Sequence, residues 1–219
     1  MRAGTSLLVL AACLAAPAAP RTGHAQGFLD EFSSEGLRFS GFGLDFGGAW
    51  SDRLEASFSG SFRVDMGTVA PRVRPLLSVS VLRSRYAADE IATLEERLTA
   101  VVVDPTGDAR VEIDSITLTN VTLDLDLQYF FVTGRIAPYA GLGLGVHLRD
   151  ADGAAISGTI VEDGLQAIVA AVNGTVGLEV VVSPKVRLTG EVRGVVASGL
   201  LACMARAGVM VRFPGRSGT

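Results

Sequence analysis

Three residues that together could cleave an acyl bond occur in the second half of the chain. His147 is followed by Ser157 and Glu162, and a serine, a histidine and an acid form a hydrolase triad when a fold brings them together. Nothing in the spacing of these three residues favours a triad over a solvated loop. We therefore expect no catalytic residues and no enzyme activity.

A second motif contains the oxygen donors that calcium prefers. Asp150, Asp152 and Gly153 resemble the start of a calcium-binding loop, but Ala154 and Val161 stand where further ligands are required. We interpret this segment as a solvated loop, and we expect neither a metal ion nor a cofactor.

Alternating glycines could be mistaken for a nucleotide-binding motif. Gly141, Gly143 and Gly145 lie inside a segment that reads as a strand, whereas a dinucleotide fingerprint needs a helix directly after its glycines. We interpret them as relieving crowding in a narrow interior. Of the two cysteines, Cys13 lies in a segment that we expect to be removed, so Cys203 has no internal disulfide partner.

Charged side chains recur at alternate positions, which is the spacing of one face of a strand. The candidate residues are Asp45, Glu55, Arg63, Asp65, Asp124, Asp126, Glu179, Arg187, Glu191, Arg193, Arg206 and Arg212. Because a buried charge without a partner is costly, opposite signs enclosed in a narrow lumen should pair. We predict that these pairs plug the lumen, and the alternative is a narrow channel that they gate.

The segments that carry these charges read as strands. In Leu54–Met66, apolar and polar residues alternate without a break, and a helix would scatter the apolar ones around its axis. The expected strands are Leu37–Trp50 with a bulge near Gly41, Leu54–Met66, Leu76–Tyr86, Arg110–Val132, Pro138–Arg149, Gln166–Val182, Val186–Val196 and Ala202–Phe213. Arg110–Val132 is longer than the ~10 residues that cross a bilayer.

One connection has a helical period instead. Within Ala87–Val103, the residues Ile91, Leu94 and Leu98 recur at the spacing of one helix face. We predict a short amphipathic helix in a long loop, packed on the rim of the sheet. The alternative is a lid or a partner-binding helix.

The opposite face of the strands is almost wholly apolar, and its direction decides the class of protein. A soluble barrel turns this face inward, whereas a membrane barrel turns it toward lipid. Mean hydropathy is +0.40, and aromatic residues near strand ends are typical of a membrane-interface girdle: Trp50, Tyr86, Tyr129, Tyr139 and Phe213. We predict an all-β fold, a transmembrane antiparallel up-and-down barrel of about eight strands over residues 37–213.

The N-terminus has the features of an export signal. Arg2 precedes an apolar stretch over Ser6–Ala19, and Gly23-His24-Ala25 offers a cleavage site after Ala25. The alternative is a lipoprotein site at Cys13. We therefore assign 1–25 as signal peptide, 26–36 as periplasmic lead-in and 214–219 as a short C-terminal tail.

Two segments resemble the small outer-membrane barrels of the outer membrane protein A transmembrane domain and opacity-protein type. Pro138–Val146 is similar to their P-Y-x-G-x-G-x-G-x strand, and Arg206–Phe213 is similar to their C-terminal assembly signal, although Val211 replaces the usual aromatic residue and Pro214–Thr219 follow Phe213. The resemblance implies a bacterial outer-membrane location and an assembly signal that includes Gly208, Val211 and Phe213. Some small barrels of this size modify lipid A, which is a further alternative.

Partners follow from charge and topology. Removal of Arg2 and Arg21 would lower the formal charge of −4 by two units, which argues against nucleic acid. We expect a monomer that contacts outer-membrane lipid and the barrel-assembly machinery, while any ligand of the loop helix stays unnamed. With an even strand count both chain ends are periplasmic, and the outer loops are 51–53, 87–109, 150–164 and 198–201.

Overall fold

A computed structural model describes residues 33–101, 113, 115–153 and 167–213. The proposed signal peptide, residues 26–32 of the lead-in, the tail and Cys13 lie outside these residues. A short 3-10 helix at Ser34–Gly36 precedes the first strand. The elements that follow are β1 (Leu37–Ser51), β2 (Ser57–Gly67), β3 (Val73–Arg85), α1 (Ala88–Val101), β4 (Thr117–Phe130), β5 (Ile136–Asp152), β6 (Ala167–Val181), β7 (Val186–Ala197) and β8 (Leu200–Arg212).

The eight strands form one closed antiparallel barrel in sequence order, which confirms the predicted fold class. β1 pairs with β8 from Gly41↔Arg212 to Ser51↔Ala202, and this seam closes the sheet. The register between β1 and β2 shifts between Leu37 and Gly41, so the predicted bulge is confirmed. We call the end where β1 begins and β8 finishes the terminal end, and the opposite end the loop end.

The apolar face of the strands points outward. Phe58 is 75% exposed, Leu142 is 72% exposed and Ile168 is 74% exposed, whereas Arg63 on the inward face is only 1% exposed. Outward apolar side chains continue around all eight strands and form an apolar belt. The charged side chains are therefore enclosed in the lumen, and the apolar face of the strands is exposed on the outside of the barrel.

The predicted aromatic girdle is only partly correct. Trp50, Tyr129 and Phe213 are exposed at the ends of the belt. Tyr139 is 1% exposed and points into the lumen, because it lies in phase with the inward glycines of β5. Tyr86 packs against the apolar cluster inside the loop end, so its ring is not part of a lipid-facing girdle.

Several predicted strand boundaries differ from those in the structure, and two of them affect the interpretation. β3 begins at Val73, three residues before the predicted start at Leu76, and includes Pro75. The ladder with β2 stops at Asp65↔Leu76, so β3 has a local edge at Pro75, where a sheet tolerates proline. The long segment Arg110–Val132 contains only one strand, β4, and residues 110–112 and 114 lie outside the described part.

The predicted loop helix is confirmed as α1. Ile91 and Leu94 lie one turn apart and pack against the apolar cluster inside the loop end of the barrel. Glu95 accepts a hydrogen bond from the backbone N–H of Ile113 at 2.7 Å, which ties the helix to the approach to β4. Within the described residues, no helix is long and apolar enough to cross a membrane.

Candidate functional site in the barrel lumen

Glu191 is the centre of the largest group of lumen charges. It points inward from β7 directly opposite Arg206 of β8. Arg63 donates to its Oε2 at 2.8 Å, Arg206 donates to its Oε1 at 2.7 Å, and the Tyr139 hydroxyl donates to Oε2 at 2.9 Å. Arg193 Nε lies 3.8 Å from Oε1. One carboxylate thus joins three guanidiniums from three strands.

Arg63 also pairs with a second carboxylate. Its Nε lies 2.6 Å from Oδ2 of Asp45. Asp45 also accepts hydrogen bonds from Thr189 at 2.9 Å and from Ser61 at 3.3 Å. Asp45 therefore accepts hydrogen bonds from β2 and from β7, which lie on either side of β1 in the strand order.

Arg193 joins the opposite wall to the same group. Its Nη1 lies 3.3 Å from Oδ2 of Asp124, and its Nη2 pairs with Asp126. Thr122 and Asn173 donate to Asp124 at 3.2 and 3.3 Å. We call this set the central network, and its charged members are Asp45, Arg63, Asp124, Asp126, Glu191, Arg193 and Arg206.

The glycines of β5 leave room for these carboxylates. A Cβ at Gly143 would meet the carboxylate of Asp126 and would lie 2.7 Å from Nδ2 of Asn173, and a Cβ at Gly145 would lie 3.0 Å from the carboxyl carbon of Asp124. The interpretation that these glycines relieve crowding is confirmed at both positions. At Gly141 the nearest atom would be a backbone oxygen at 3.1 Å, so the contact there is milder.

A second group of charges lies nearer the terminal end. Arg74 Nη2 is 2.7 Å from Oε2 of Glu179, and Arg74 Nη1 is 3.6 Å from Oδ2 of Asp65. Arg187 pairs with Glu179, and Arg212 Nε lies 3.1 Å from Asp65. We call this set the terminal network, with members Asp65, Arg74, Glu179, Arg187 and Arg212.

Arg74 is fixed by uncharged partners as well. Its Nη2 donates to Oε1 of Gln128 at 2.9 Å. Its guanidinium carbon lies 4.6 Å from the ring centroid of Phe130, which is a cation–π distance. Phe130 packs in turn on Tyr139, with ring centroids 5.4 Å apart. Aromatic rings therefore link the terminal network to the central one.

The two networks balance in charge. Together they contain six guanidiniums and six carboxylates joined by direct ion pairs. Most of these side chains are almost fully buried, while Arg187 and Arg212 are about a quarter exposed at the terminal mouth. A buried network of this kind is tolerable because every charge has an opposite one nearby.

The structure brings eleven of the twelve predicted charges into these networks. Glu55 is the exception: it precedes β2 and is exposed at the loop end, so its placement in the lumen was wrong. The error arose because the strand was expected to begin at Leu54. Arg74 was missed because β3 was expected to begin at Leu76, although Arg74 is in phase with the inward residues Ser78 and Ser80.

An apolar cluster occupies the loop end of the lumen, and the sequence analysis missed it. Its signal was available, because the inward residues of several strands change from polar to apolar toward that end. We call it the loop-end plug, and its members are Ala49, Leu54, Leu82, Ile113, Ile116, Leu118, Ala151, Ala171, Val195, Leu200, Ala202 and Met204. α1 packs on the plug through Ile91 and Leu94.

Tyr86 lies at the side of the loop-end plug, beyond the end of β3. Burial raises the pKa of its phenol above the ordinary value, and the neighbouring guanidiniums of Arg149 and Arg53 act in the opposite direction. Its contact with the plug shows that the plug extends past the last rung of the β2–β3 ladder.

His147 lies inside the barrel between the loop-end plug and the central network. It is 2% exposed, and its Nδ1 lies 3.1 Å from the side-chain amide nitrogen of Asn120. Ser157 and Glu162 lie outside the described residues, so the triad stays untested.

The three residues of the predicted assembly signal lie along β8 and just after it. Phe213 is exposed and packs on Phe39 and Phe42, with ring centroids 5.3 and 6.0 Å away. Its N–H donates to the carbonyl of Ser40 at 2.8 Å. Gly208 is opposite Asp45, and a Cβ there would lie 2.6 Å from the Asp45 carboxyl carbon. Val211 pairs with Phe42.

Comparison with known proteins identifies the fold. No protein-family model matches the chain, and no curated protein matches it. Among solved structures, Neisserial surface protein A is 16% identical with a TM-score of 0.55, over 82% of this chain and all of that one. The outer membrane protein AlkL has a TM-score of 0.46 at 16% identity, over 85% of this chain and 96% of that one.

A third similar structure is Ail, the attachment invasion locus protein of Yersinia pestis. It has a TM-score of 0.42 at 12% identity, over 80% of this chain and all of that one. The match to Neisserial surface protein A shows that this chain has the fold of the small eight-stranded outer-membrane barrels. At such low identity the likeness concerns the fold alone.

Proposed function

We propose that this chain is a bacterial outer-membrane protein whose barrel is closed to solutes and holds its loops and α1 at the cell surface. One observation carries the proposal: the described part of the lumen contains two ion-pair networks, which together are neutral, and an apolar plug. The role that follows is structural, with the barrel as anchor and the loop end as the working surface.

The outward belt supports the membrane location. Leucine, valine and phenylalanine side chains around the whole outer wall, such as Leu144 at 68% exposed, would be poorly placed in water. Bilayer hydrocarbon is the environment that accepts a continuous apolar belt on a closed barrel. Closure also pairs every strand with two neighbours, which supports a monomer.

The contacts inside the lumen support a closed state. A solute that entered from the terminal end would have to separate Arg74 from Glu179 and Arg63 from Glu191, and each separation leaves buried charges unpaired. It would then meet the loop-end plug, whose described members are all apolar and cannot replace the solvation of a charged or polar solute. Two barriers of different chemistry in series make conduction unfavourable.

Planar-bilayer recording tests this closed state. We expect the purified, folded protein to give no steady single-channel current, because the two networks and the plug leave no continuous aqueous path. A large porin with an open lumen, inserted in the same bilayer, is the positive control. Steady and sizeable single-channel steps from the pure protein would instead establish the gated channel that is the alternative reading.

Surface labelling tests the orientation. In a background with Cys203→Ala, we expect a cysteine at Glu96→Cys on α1 to react with a membrane-impermeant maleimide in intact cells, since Glu96 is exposed at the loop end. The matched control is Thr133→Cys in the exposed β4–β5 turn at the terminal end, which should react only after lysis. The opposite pattern would invert the proposed topology.

Further partners belong to the same proposal. The C-terminal strand would be recognised by the barrel-assembly machinery, and the belt would contact membrane lipid.

His147 is held by Asn120 inside the lumen, and this supports a structural role for it. We accordingly assign no reaction and no cofactor to the barrel.

A further inference from the structure

The barrel wall is interrupted between β2 and β3 at the loop end. Their ladder is continuous from Asp65↔Leu76 to Ser59↔Leu82 and resumes only at the isolated bridge Leu54↔Tyr86. Between these rungs the segment that leads into β2 has four residues (55–58) and the end of β3 has three (83–85), so one extra residue interrupts the pairing. The neighbouring β3–β4 ladder continues to Arg85↔Thr117.

This interruption leaves a groove in the outer wall. The groove has a volume of about 330 Å³ and is lined by polar side chains, among them Glu55, Ser57, Arg83, Ser84, Arg85 and Thr117. Its floor is fixed, because Ser84 Oγ donates to the Glu55 carbonyl at 2.7 Å and the Glu55 N–H donates to the Arg85 carbonyl at 2.9 Å.

Two arginines give the groove its chemistry. Arg83 and Arg85 are both exposed on the outward face of β3, and residues two apart on a strand face are separated by about 7 Å. Within the described part of the chain, neither guanidinium forms an ion pair or a side-chain hydrogen bond. Glu55 is the acid that lines the groove, so two positive charges stand against one negative charge there.

The groove lies directly above the apolar belt. Val81 is the outward residue before Arg83 on β3, and Phe58, 75% exposed, is the first outward residue of β2. A molecule whose anionic group sits between the two arginines would therefore extend its apolar part over Phe58 and Val81. A molecule with an anionic group and an adjoining apolar part is a lipid with a phosphorylated headgroup. A planar guanidinium suits this headgroup because it can donate two parallel hydrogen bonds to phosphate oxygens.

We propose that the groove between β2 and β3 binds the phosphorylated headgroup of a lipid in the leaflet that faces the loop end, through Arg83 and Arg85. The inference rests on the membrane location proposed above. Arg72 and Arg135 are also exposed, but they lie on turns at the terminal end and do not line the groove.

Lipid retention in nanodiscs tests the proposal. Wild-type protein is assembled in phosphatidylcholine discs that contain a small fraction of diphosphoryl lipid A, and native mass spectrometry counts the lipid A retained per barrel after extraction. We expect the double variant R83Q/R85Q to retain lipid A about tenfold less strongly, because two charge-assisted contacts are lost. The matched control R72Q/R135Q removes the same charge from the other rim and should retain it fully.

Three outcomes would overturn the site. Equal loss in both double variants would show non-specific charge attraction, and equal retention in R83Q/R85Q and wild type would show that the arginines are not used. Displacement of lipid A by free pyrophosphate at similar concentration would identify a soluble anion as the ligand. A wild-type protein that never enters the discs contradicts the membrane location instead, so the two failures are distinguishable.

Discussion

Replacing Glu191 by alanine is expected to lower the free energy of unfolding of the barrel by about 3–5 kcal/mol, the cost of removing one partner from a buried ion pair. Glu191 is the shared acceptor of Arg63, Arg206 and the Tyr139 hydroxyl. Without it, Arg206 keeps only its contact with Ser80 among the described residues, at 3.2 Å. A buried guanidinium with a hydroxyl as sole partner is poorly compensated.

Urea unfolding in lipid vesicles measures this effect. The chain has a single tryptophan, Trp50, which is exposed on the outer wall near the loop end, so its emission reports loss of the lipid environment. The matched control is Glu96→Ala on the exposed face of α1, which should change stability by no more than about 0.5 kcal/mol. Equal urea midpoints for Glu191→Ala and wild type would contradict the hub role of Glu191.

A double-mutant cycle separates the ion pair from the rest of the network. The variant E191A/R206M removes one charge of each sign, while Arg63 keeps Asp45 and Arg193 keeps Asp124 and Asp126. We expect the double variant to be less destabilised than the sum of the single variants, since neighbours in one network couple. Strict additivity would show that Glu191 and Arg206 do not stabilise each other.

The second large effect is expected at Gly47, on the seam that closes the barrel. Gly47 is opposite Arg206, and a Cβ on it would lie 2.7 Å from the Arg206 Cα and 2.8 Å from the carbonyl carbon of Ala205. These are backbone atoms of the paired strand, so they cannot avoid the added Cβ by adopting another rotamer, as a side chain could. Gly47→Ala should therefore cost about 1–3 kcal/mol or more, as overpacking does.

The control for this substitution is another glycine in a strand. At Gly190 of β7 an added Cβ would meet nothing within 4 Å, so Gly190→Ala should stay within about 0.5 kcal/mol of wild type. A gel of unboiled and boiled samples shows whether each variant still closes, and urea titration gives the difference in stability. Similar behaviour of the two variants would mean that the β1–β8 seam can widen without cost.

Much of the fold could be predicted because a strand shows its two faces in the sequence. The two-residue period of Leu54–Met66 and the helical period of Ile91 and Leu94 are local properties, and both predicted a real element, although β2 begins at Ser57 and not at Leu54. The bulge before Gly41 was visible as a change of phase between Phe39 and Phe42. The ends of strands were harder to predict, because a proline or a polar residue does not show whether the neighbouring strand continues to pair.

The candidate site could be predicted only as a set of inward charges. Glu55 was included because the alternation of polar and apolar residues continues beyond Ser59, where pairing with β3 stops. Arg74 was omitted because Pro75 suggested that β3 begins later than it does. The loop-end plug was missed since its members come from many strands and from the segment before β4. No single stretch of sequence shows that their side chains meet.

The sequence by itself determined which side chains share a face, because alternation along a strand is fixed by backbone geometry. Only the tertiary structure decided which charges meet, since Arg63 and Glu191 are 128 positions apart and come together through the closure and register of eight strands. The same closure placed the apolar plug at one end and opened the groove beside Arg83 and Arg85. Contacts between distant segments depend on strand register, and register is a property of the whole barrel.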